Sequence, residues 1–229
     1  AAKKSGRGRF NFFANEMNEA AQRRLRTGRA LREAIESNQL TVHFQPQINT
    51  LDLSLYGVEA LARWNHPERG FIPPAEFIPI AEDSGLIVDL GIAVLNETCR
   101  CARQWLDSGF DFGHVSVNVS PVQLWRSDFD RVVAAALASS GLPAPYLCLE
   151  VTESLFVNHG ETRILRTLDA LRELGVKLSL DDFGTGYSSL GYLNKLPFNQ
   201  LKIDRSFVSD IDKDKQKESL LHGIIALGK

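Results

Sequence analysis

Apolar positions along the chain follow two rhythms. Strand-length runs occur at TVHFQPQI (41–48), LYGVEALARW (55–64), HVSVNVS (114–120), YLCLEVTES (146–154), VKLSLDDF (176–183) and NQLKID (199–204). Stretches with helical spacing lie between them. Pro73-Pro74 can open a helix that Gly85 ends. The stretch 86–108 sets Leu90, Val94, Cys101 and Trp105 on one face ahead of Gly109. Phe129, Val132, Val133, Ala136 and Leu137 form a second stripe, with Ser127 as its cap and Gly141 as its stop. Ile164, Leu165, Leu168, Leu171 and Leu174 form a third, before Gly175, and Leu220, Leu221, Ile224 and Ile225 a fourth. Such alternation predicts an α/β fold: a parallel sheet with helices outside it, closed as a (β/α) barrel.

The chemistry then collects at one end of the strands. Glu59, Asn118, Glu150, Asp181 and Asp204 each fall at or near the carboxyl end of a predicted strand, and in a barrel those ends share one face. In KLSLDDFGTGYSSL (177–190), Leu178 and Leu180 point inward, so Asp181 and Asp182 emerge on opposite sides where glycines loosen the backbone. Two adjacent carboxylates repel, so a positive group is expected beside them. The plain alternative is a turn in which both aspartates cap backbone amides. Carboxylates and one amide, with no histidine or cysteine, are ligands for a hard cation such as Mg²⁺ or Mn²⁺. The doubled aspartate suggests two ions, the usual machinery for in-line attack on a phosphodiester. Lys202, two positions before Asp204, shares its strand face. It is either a group that holds the attacking water or a surface lysine paired with an acid.

Composition narrows the field. The 229 residues are 44% hydrophobic and 24% charged, a profile with ample core, and the net charge of −2 argues against binding a nucleic-acid polymer. No apolar run approaches the roughly 20 residues of a membrane span and no signal peptide opens the chain. Cys99, Cys101 and Cys148 lie in apolar segments, which suits core packing in a reducing cytoplasm. Length adds a constraint. About 190 residues and six strands follow Thr41, whereas a complete eight-stranded barrel takes about 250. The expectation is a chain cut short by roughly two βα units.

The motifs GVEALARW, SVNVSP, LEVTES, DDFGTGYSSL and LKIDRSFV, in that order, resemble the EAL-domain phosphodiesterases, which hydrolyse cyclic di-GMP to linear pGpG. The resemblance covers about residues 31–229 and implies a modified TIM barrel whose first strand is antiparallel. It implies metal ligation by Glu59, Asn118, Glu150 and Asp181, with Asp182 serving a second ion and Lys202 beside the nucleophilic water. Gln45, Leu61 and Arg63 take the place of substrate contacts, Arg63 on phosphate. Glu153 resembles the glutamate that anchors the DDFGTGYSSL loop, the alternative being a helix-start acid. Asp204 resembles an aspartate near the metals.

The family continues with a seventh-strand glutamate and an eighth unit, which do not follow here, so residues 1–229 alone are expected to hydrolyse weakly or not at all. AKKSGRGRF resembles the closing segment of a GGDEF domain, a last helix running into a final short strand. This divides the chain into a GGDEF tail (1–15), a solvated linker helix (16–37) and an EAL domain (38–229), with any membrane anchor lying upstream in a parent protein. A homodimer through the EAL domain is the arrangement usual in the family. Two other readings compete: a cyclic di-GMP receptor that has lost catalysis, against which the intact acid set speaks, and an enolase-like Mg²⁺ barrel, which leaves the DDFGTGYSSL loop and Lys202 unexplained.

Overall fold

The structure is a computed structural model that describes residues 8–37, 39–156, 161–184, 197–209, 211 and 215–227. Residues 2–7 of the GGDEF-like segment and 185–190 of the DDFGTGYSSL loop lie outside the described residues. The elements are α1 (Gly8–Glu36), β1 (Leu40–Ile48), β2 (Leu55–His66), β3 (Gly70–Ile72), α2 (Pro74–Ser84), α3 (Ile87–Asp107), β4 (Val115–Val119), α4 (Pro121–Arg126), α5 (Phe129–Ser140), β5 (Leu147–Thr152), α6 (Glu161–Glu173), β6 (Lys177–Phe183), β7 (Gln200–Ile203), α7 (Arg205–Val208) and α8 (Lys215–Leu227).

One sheet runs β1-β2-β4-β5-β6-β7, with β3 paired to β2. From β2 to β7 the main strands are parallel, whereas β1 is antiparallel to β2. The reason lies in the link between them. A parallel pair needs a crossover of a dozen or more residues, and the few residues after Ile48 can form only a hairpin. Asx turns hold that hairpin: Asn49 Oδ1 accepts from the Leu51 amide (3.0 Å) and Asp52 Oδ1 from the Ser54 amide (3.0 Å). The alternation read from sequence as wholly parallel is corrected at this strand, as the family resemblance implies. No helix among the described residues is long and apolar enough to cross a membrane.

The apolar core lies between sheet and helices. Val115, Val117, Leu147, Leu149, Leu178 and Leu180 turn outward to meet Leu90 and Leu95 of α3, Val133 of α5 and Leu168 of α6, all buried. Leu178 and Leu180 therefore face the helices, and Ser179 between them is also fully buried. β6 is covered on both faces rather than on one, as parallel strands usually are. Gly85 and Gly141 end α2 and α5 in the left-handed conformation.

Four local readings change. Ser127 does not cap α5; its hydroxyl donates to the Gln123 carbonyl and closes α4, a helix opened by a Ser120–Gln123 capping box. On α3 the fully buried positions include Leu95, Cys99 and Ala102, while Cys101 and Trp105 are half-buried. Of the four apolar residues assigned to α8, only Ile224 is buried, and Leu220 and Ile225 are exposed. The helix read as a solvated linker is exposed over 21–26, but Thr27, Leu31 and Ala34 enter the core. Its first residue is Gly8, so the helix begins ahead of the 15/16 division. All three cysteines are free, and burial pushes the Cys99 thiol up to about 12 and that of Cys148 up to about 11.

At the amino-terminal end of β4, His114 is buried against Tyr56, with the rings edge to face at 5.0 Å. Burial, aided by the Lys177 charge, lowers its proton affinity. The unfolded chain therefore takes up a proton below the ordinary histidine pKa before the folded chain does, and stability is lost as pH falls through that value. Thermal melts from pH 7.5 to 5 should show the unmodified protein losing Tm more steeply than His114→Gln. Parallel profiles would exclude His114 as the source.

Candidate active site

Five strands deliver one side chain each to the carboxyl-end rim. Register sets them side by side: Asn118 on β4 pairs with Glu150 on β5, Glu150 with Ser179 on β6, and Thr152 with Asp181. Glu59 on β2 pairs with Ser116, two positions before Asn118. At the centre stands the Lys202 ammonium. Its Nζ donates to Glu150 Oε2 at 2.5 Å and to Asp181 Oδ2 at 3.1 Å, and lies 3.4 Å from Glu59 Oε2. Asn118 Nδ2 donates to the other Glu59 oxygen at 2.7 Å. Glu150 has 0% side-chain exposure, whereas Lys202 keeps 22%, so the group opens to solvent on the lysine side.

The doubled aspartate has a structural cause. Leu180 pairs with Leu201 and Phe183 with Ile203, so Asp181 and Asp182 together stand opposite the single residue Lys202. This is a β-bulge, which re-aims side chains at the end of a strand. Asp182 takes φ = 52°, a left-handed conformation that aspartate adopts more readily than most residues. Gly184 follows with φ = 98°, where an added Cβ would meet the Phe207 ring at 2.6 Å. Its amide donates to Glu153 Oε2 at 3.1 Å, so Glu153 grips the first residue beyond β6.

Electrostatics follow from this crowding. Burial alone would depress the Lys202 ammonium, but Glu150, Asp181 and Glu59 hold its pKa above the ordinary lysine range. Burial raises Glu150 against the pull of Lys202. The Asp182 carboxyl is also raised, first by burial and then by the charges of Asp181 and Asp204. Asp204 caps α7, its Oδ1 accepting from the Ser206 amide at 2.9 Å, and that bonding lowers its pKa.

The structure thus brings together Glu59, Asn118, Glu150, Asp181 and Lys202. It sets Asp182 beside them in the bulge and Asp204 at the start of α7. Gln45 pairs with Glu59 across β1–β2 and is exposed. Leu61 and Arg63 line, with Asn118, a cavity of about 360 Å³ between β2 and α2–α4. Among the described residues no three acid, histidine or cysteine side chains are spaced as a ready metal cage; the ammonium fills the point on which the oxygens converge. Sequence reasoning missed Ser120 and Glu82, which also line that cavity, with Ser120 Oγ donating to Glu82 Oε1 at 2.7 Å. The Ser-Pro-x-Gln capping pattern in SVNVSPVQ signals Ser120; nothing in the sequence signals its partner.

A βα barrel carries its active site at the carboxyl-end rim, and carboxylates gathered around a cation there make this rim a candidate enzyme site. The sequence matches the EAL domain family over residues 28–229, and the chain belongs to that family. It is 42% identical over 228 residues to the bifunctional diguanylate cyclase/cyclic di-GMP phosphodiesterase MucR of Pseudomonas aeruginosa, covering 100% of this chain and 33% of that protein. It is 39% identical over 228 residues to the cyclic di-GMP phosphodiesterase PdeR of Escherichia coli, covering 100% of this chain and 34% of the relative. The chain therefore spans about a third of the length of these curated relatives. Among solved structures, the PaMucR phosphodiesterase in complex with c-di-GMP superposes with a TM-score of 0.83 at 42% identity, over 89% of this chain and 82% of that one.

Lys202→Met leaves three clustered carboxylates without their cation and should cost roughly 3 kcal/mol, as breaking a buried ion cluster does. Melts with and without Mn²⁺ check this. In chelator the variant should melt well below the unmodified protein, and Mn²⁺ should raise its Tm by more than it raises that of the parent.

Proposed function

We propose that this chain is a metal-dependent phosphodiesterase domain that opens cyclic di-GMP to linear pGpG. The observation that carries the reading is the convergence of Glu59, Glu150 and Asp181 oxygens on one cationic point at the strand ends. Oxygen donors of this kind fit Mg²⁺ or Mn²⁺, and the ammonium now on that point stands in for such a charge. Glu59, Asn118, Glu150 and Asp181 would hold one ion and Asp182, brought close by the bulge, a second. Ions so held lower the pKa of a bound water and neutralise the substrate phosphate.

The chain's own residues do the rest. Lys202, charged throughout the neutral range, orients the attacking water and offsets negative charge as it develops on the phosphoryl oxygens. Arg63 supplies a guanidinium that can grip phosphate oxygens with two parallel bonds. Leu61 offers an apolar wall to a base, and Gln45 is placed across from Glu59 to hydrogen-bond the nucleoside. Glu153, through the Gly184 amide, fixes the exit of the chain from the bulge and hence the direction of Asp182. The relatives' names support the substrate: two are called cyclic di-GMP phosphodiesterases and one solved structure holds c-di-GMP. The bifunctional name of the MucR relative supports a parent protein that also carries a diguanylate cyclase.

Chromatographic assay of pGpG release with Mg²⁺ or Mn²⁺ tests the proposal. Chelation should stop release, and Lys202→Ala should lower kcat by about 100-fold or more while KM changes little, the pattern of a group acting in the transition state. Tight binding of cyclic di-GMP with no release in either metal would replace this reading with that of a receptor.

A further inference from the structure

The layer of side chains immediately below the rim carries a separate signal. Period-two alternation turns Ser116, Cys148 and Ser179 into the barrel on the same strands that present Asn118, Glu150 and Asp181 above them. All three are buried, Ser116 and Ser179 at 0% exposure. Barrel interiors are usually filled by bulky branched residues. This layer is small and polar instead.

Its hydroxyls are also unused. Ser116 Oγ, Ser179 Oγ and Glu150 Oε1 are each buried with no hydrogen-bond partner among the described residues. They are neighbours in the sheet. Ser179 is the register partner of Glu150 on β6, and Ser116 is the register partner of Cys148, one step below Glu150, on β4. The Ser116 hydroxyl is near enough to act on both the Glu150 carboxyl and the Cys148 thiol. Ser116 thus lies within reach of the Glu150 carboxyl, yet neither its hydroxyl nor Glu150 Oε1 has a hydrogen bond of good geometry among the described residues, and the Ser179 hydroxyl stands on the strand at the other side. An orphaned buried polar group is costly, and three adjacent ones of complementary character mark a place where a small polar molecule completes the bonding. A buried water needs two to four polar partners, and the Ser116, Ser179 and Glu150 oxygens with the Cys148 sulfur supply that number.

We propose that the barrel interior below Glu150 is a hydration site. An ordered water accepts from the Ser116 and Ser179 hydroxyls and donates one proton to Glu150 Oε1. Its second proton points toward the Cys148 sulfur. Ser116 and Ser179 are then positioning residues: through the water they fix one Glu150 oxygen downward, which leaves Oε2 aimed at the rim where Lys202 now sits.

The sign of a stability change distinguishes the hydrated floor from a dry one. If the hydroxyls bond water, Ser116→Ala and Ser179→Ala each lower Tm by about 2–4 °C. If they are dry and orphaned, removing them leaves Tm unchanged or raises it. A high-resolution crystal structure of the unmodified chain should show density within hydrogen-bond distance of all three atoms, lost in Ser179→Val. An empty interior, or serines turned onto backbone carbonyls, overturns the proposal. The positioning role is read by Mn²⁺ titration with electron paramagnetic resonance, in which each alanine variant should bind about tenfold more weakly than the parent. Equal affinities would reduce the water to a structural one and sink the positioning role. This last arm rests on the proposed function. If the unmodified chain takes no Mn²⁺, that reading fails, while the hydration site is still decided by the density and the sign of the Tm change.

Discussion

A lone ammonium ringed by three carboxylates organises the rim of this barrel. Bringing those groups together from β2, β5, β6 and β7 costs desolvation at every one. Glu150, wholly buried, bears the largest share, and its raised proton affinity reflects it. Lys202 offsets the cost at Glu150, Asp181 and Glu59 simultaneously, which no paired arrangement of exposed ions could do. The geometry that permits this is the parallel sheet. Neighbouring parallel strands hold Asn118 beside Glu150, and Glu150 beside Ser179, at fixed spacing, so the side chains have little freedom to separate.

The bulge at Asp181–Asp182 shows how an irregularity can serve the site. A regular β6 would send one aspartate into the barrel and the other outward, as strict alternation requires. Instead both oppose Lys202, and Asp182 accepts a left-handed backbone to do so. The strain is held by what surrounds it. Gly184 packs where only a glycine fits against Phe207, and Glu153 binds the Gly184 amide. Backbone strain that neighbouring contacts over-determine in this way is a common mark of functional sites.

Much of this was legible in advance, for identifiable reasons. Strand runs are readable because each combines β-branched or aliphatic residues with a turn signal, and all six agree with the observed strands to within two residues at either end. The gathering of acids was legible because strand ends in a barrel share a face. What escaped had local or long-range causes. α4 escaped because six residues carry too little periodicity, although its capping box could have been read. Ser127 was misassigned because one residue stood between two helices and could close the first or open the second. The bulge was invisible because it depends on pairing with β7, fixed only in three dimensions. The apolar face of α8 was misjudged because Leu220, Leu221, Ile224 and Ile225 wrap wider than a single contact stripe, and burial selects only part of it.

Stability gives little reason for such a rim to exist. Replacing buried ion clusters by well-packed apolar side chains is often neutral or favourable, and a barrel of this size could be filled with branched aliphatics in the usual way. Here the interior is polar through two successive layers: carboxylates and a lysine at the rim, then serines and a cysteine beneath. A surface ion pair elsewhere in the chain, such as Arg24 with Asp83 at 2.7 Å, would satisfy any demand for solubility without burying charge. The acids are held instead around a single ammonium. The lysine shares that space rather than sealing it, because its side chain keeps a solvent-facing edge. A cluster this negative must be braced to survive, and Lys202 supplies the brace.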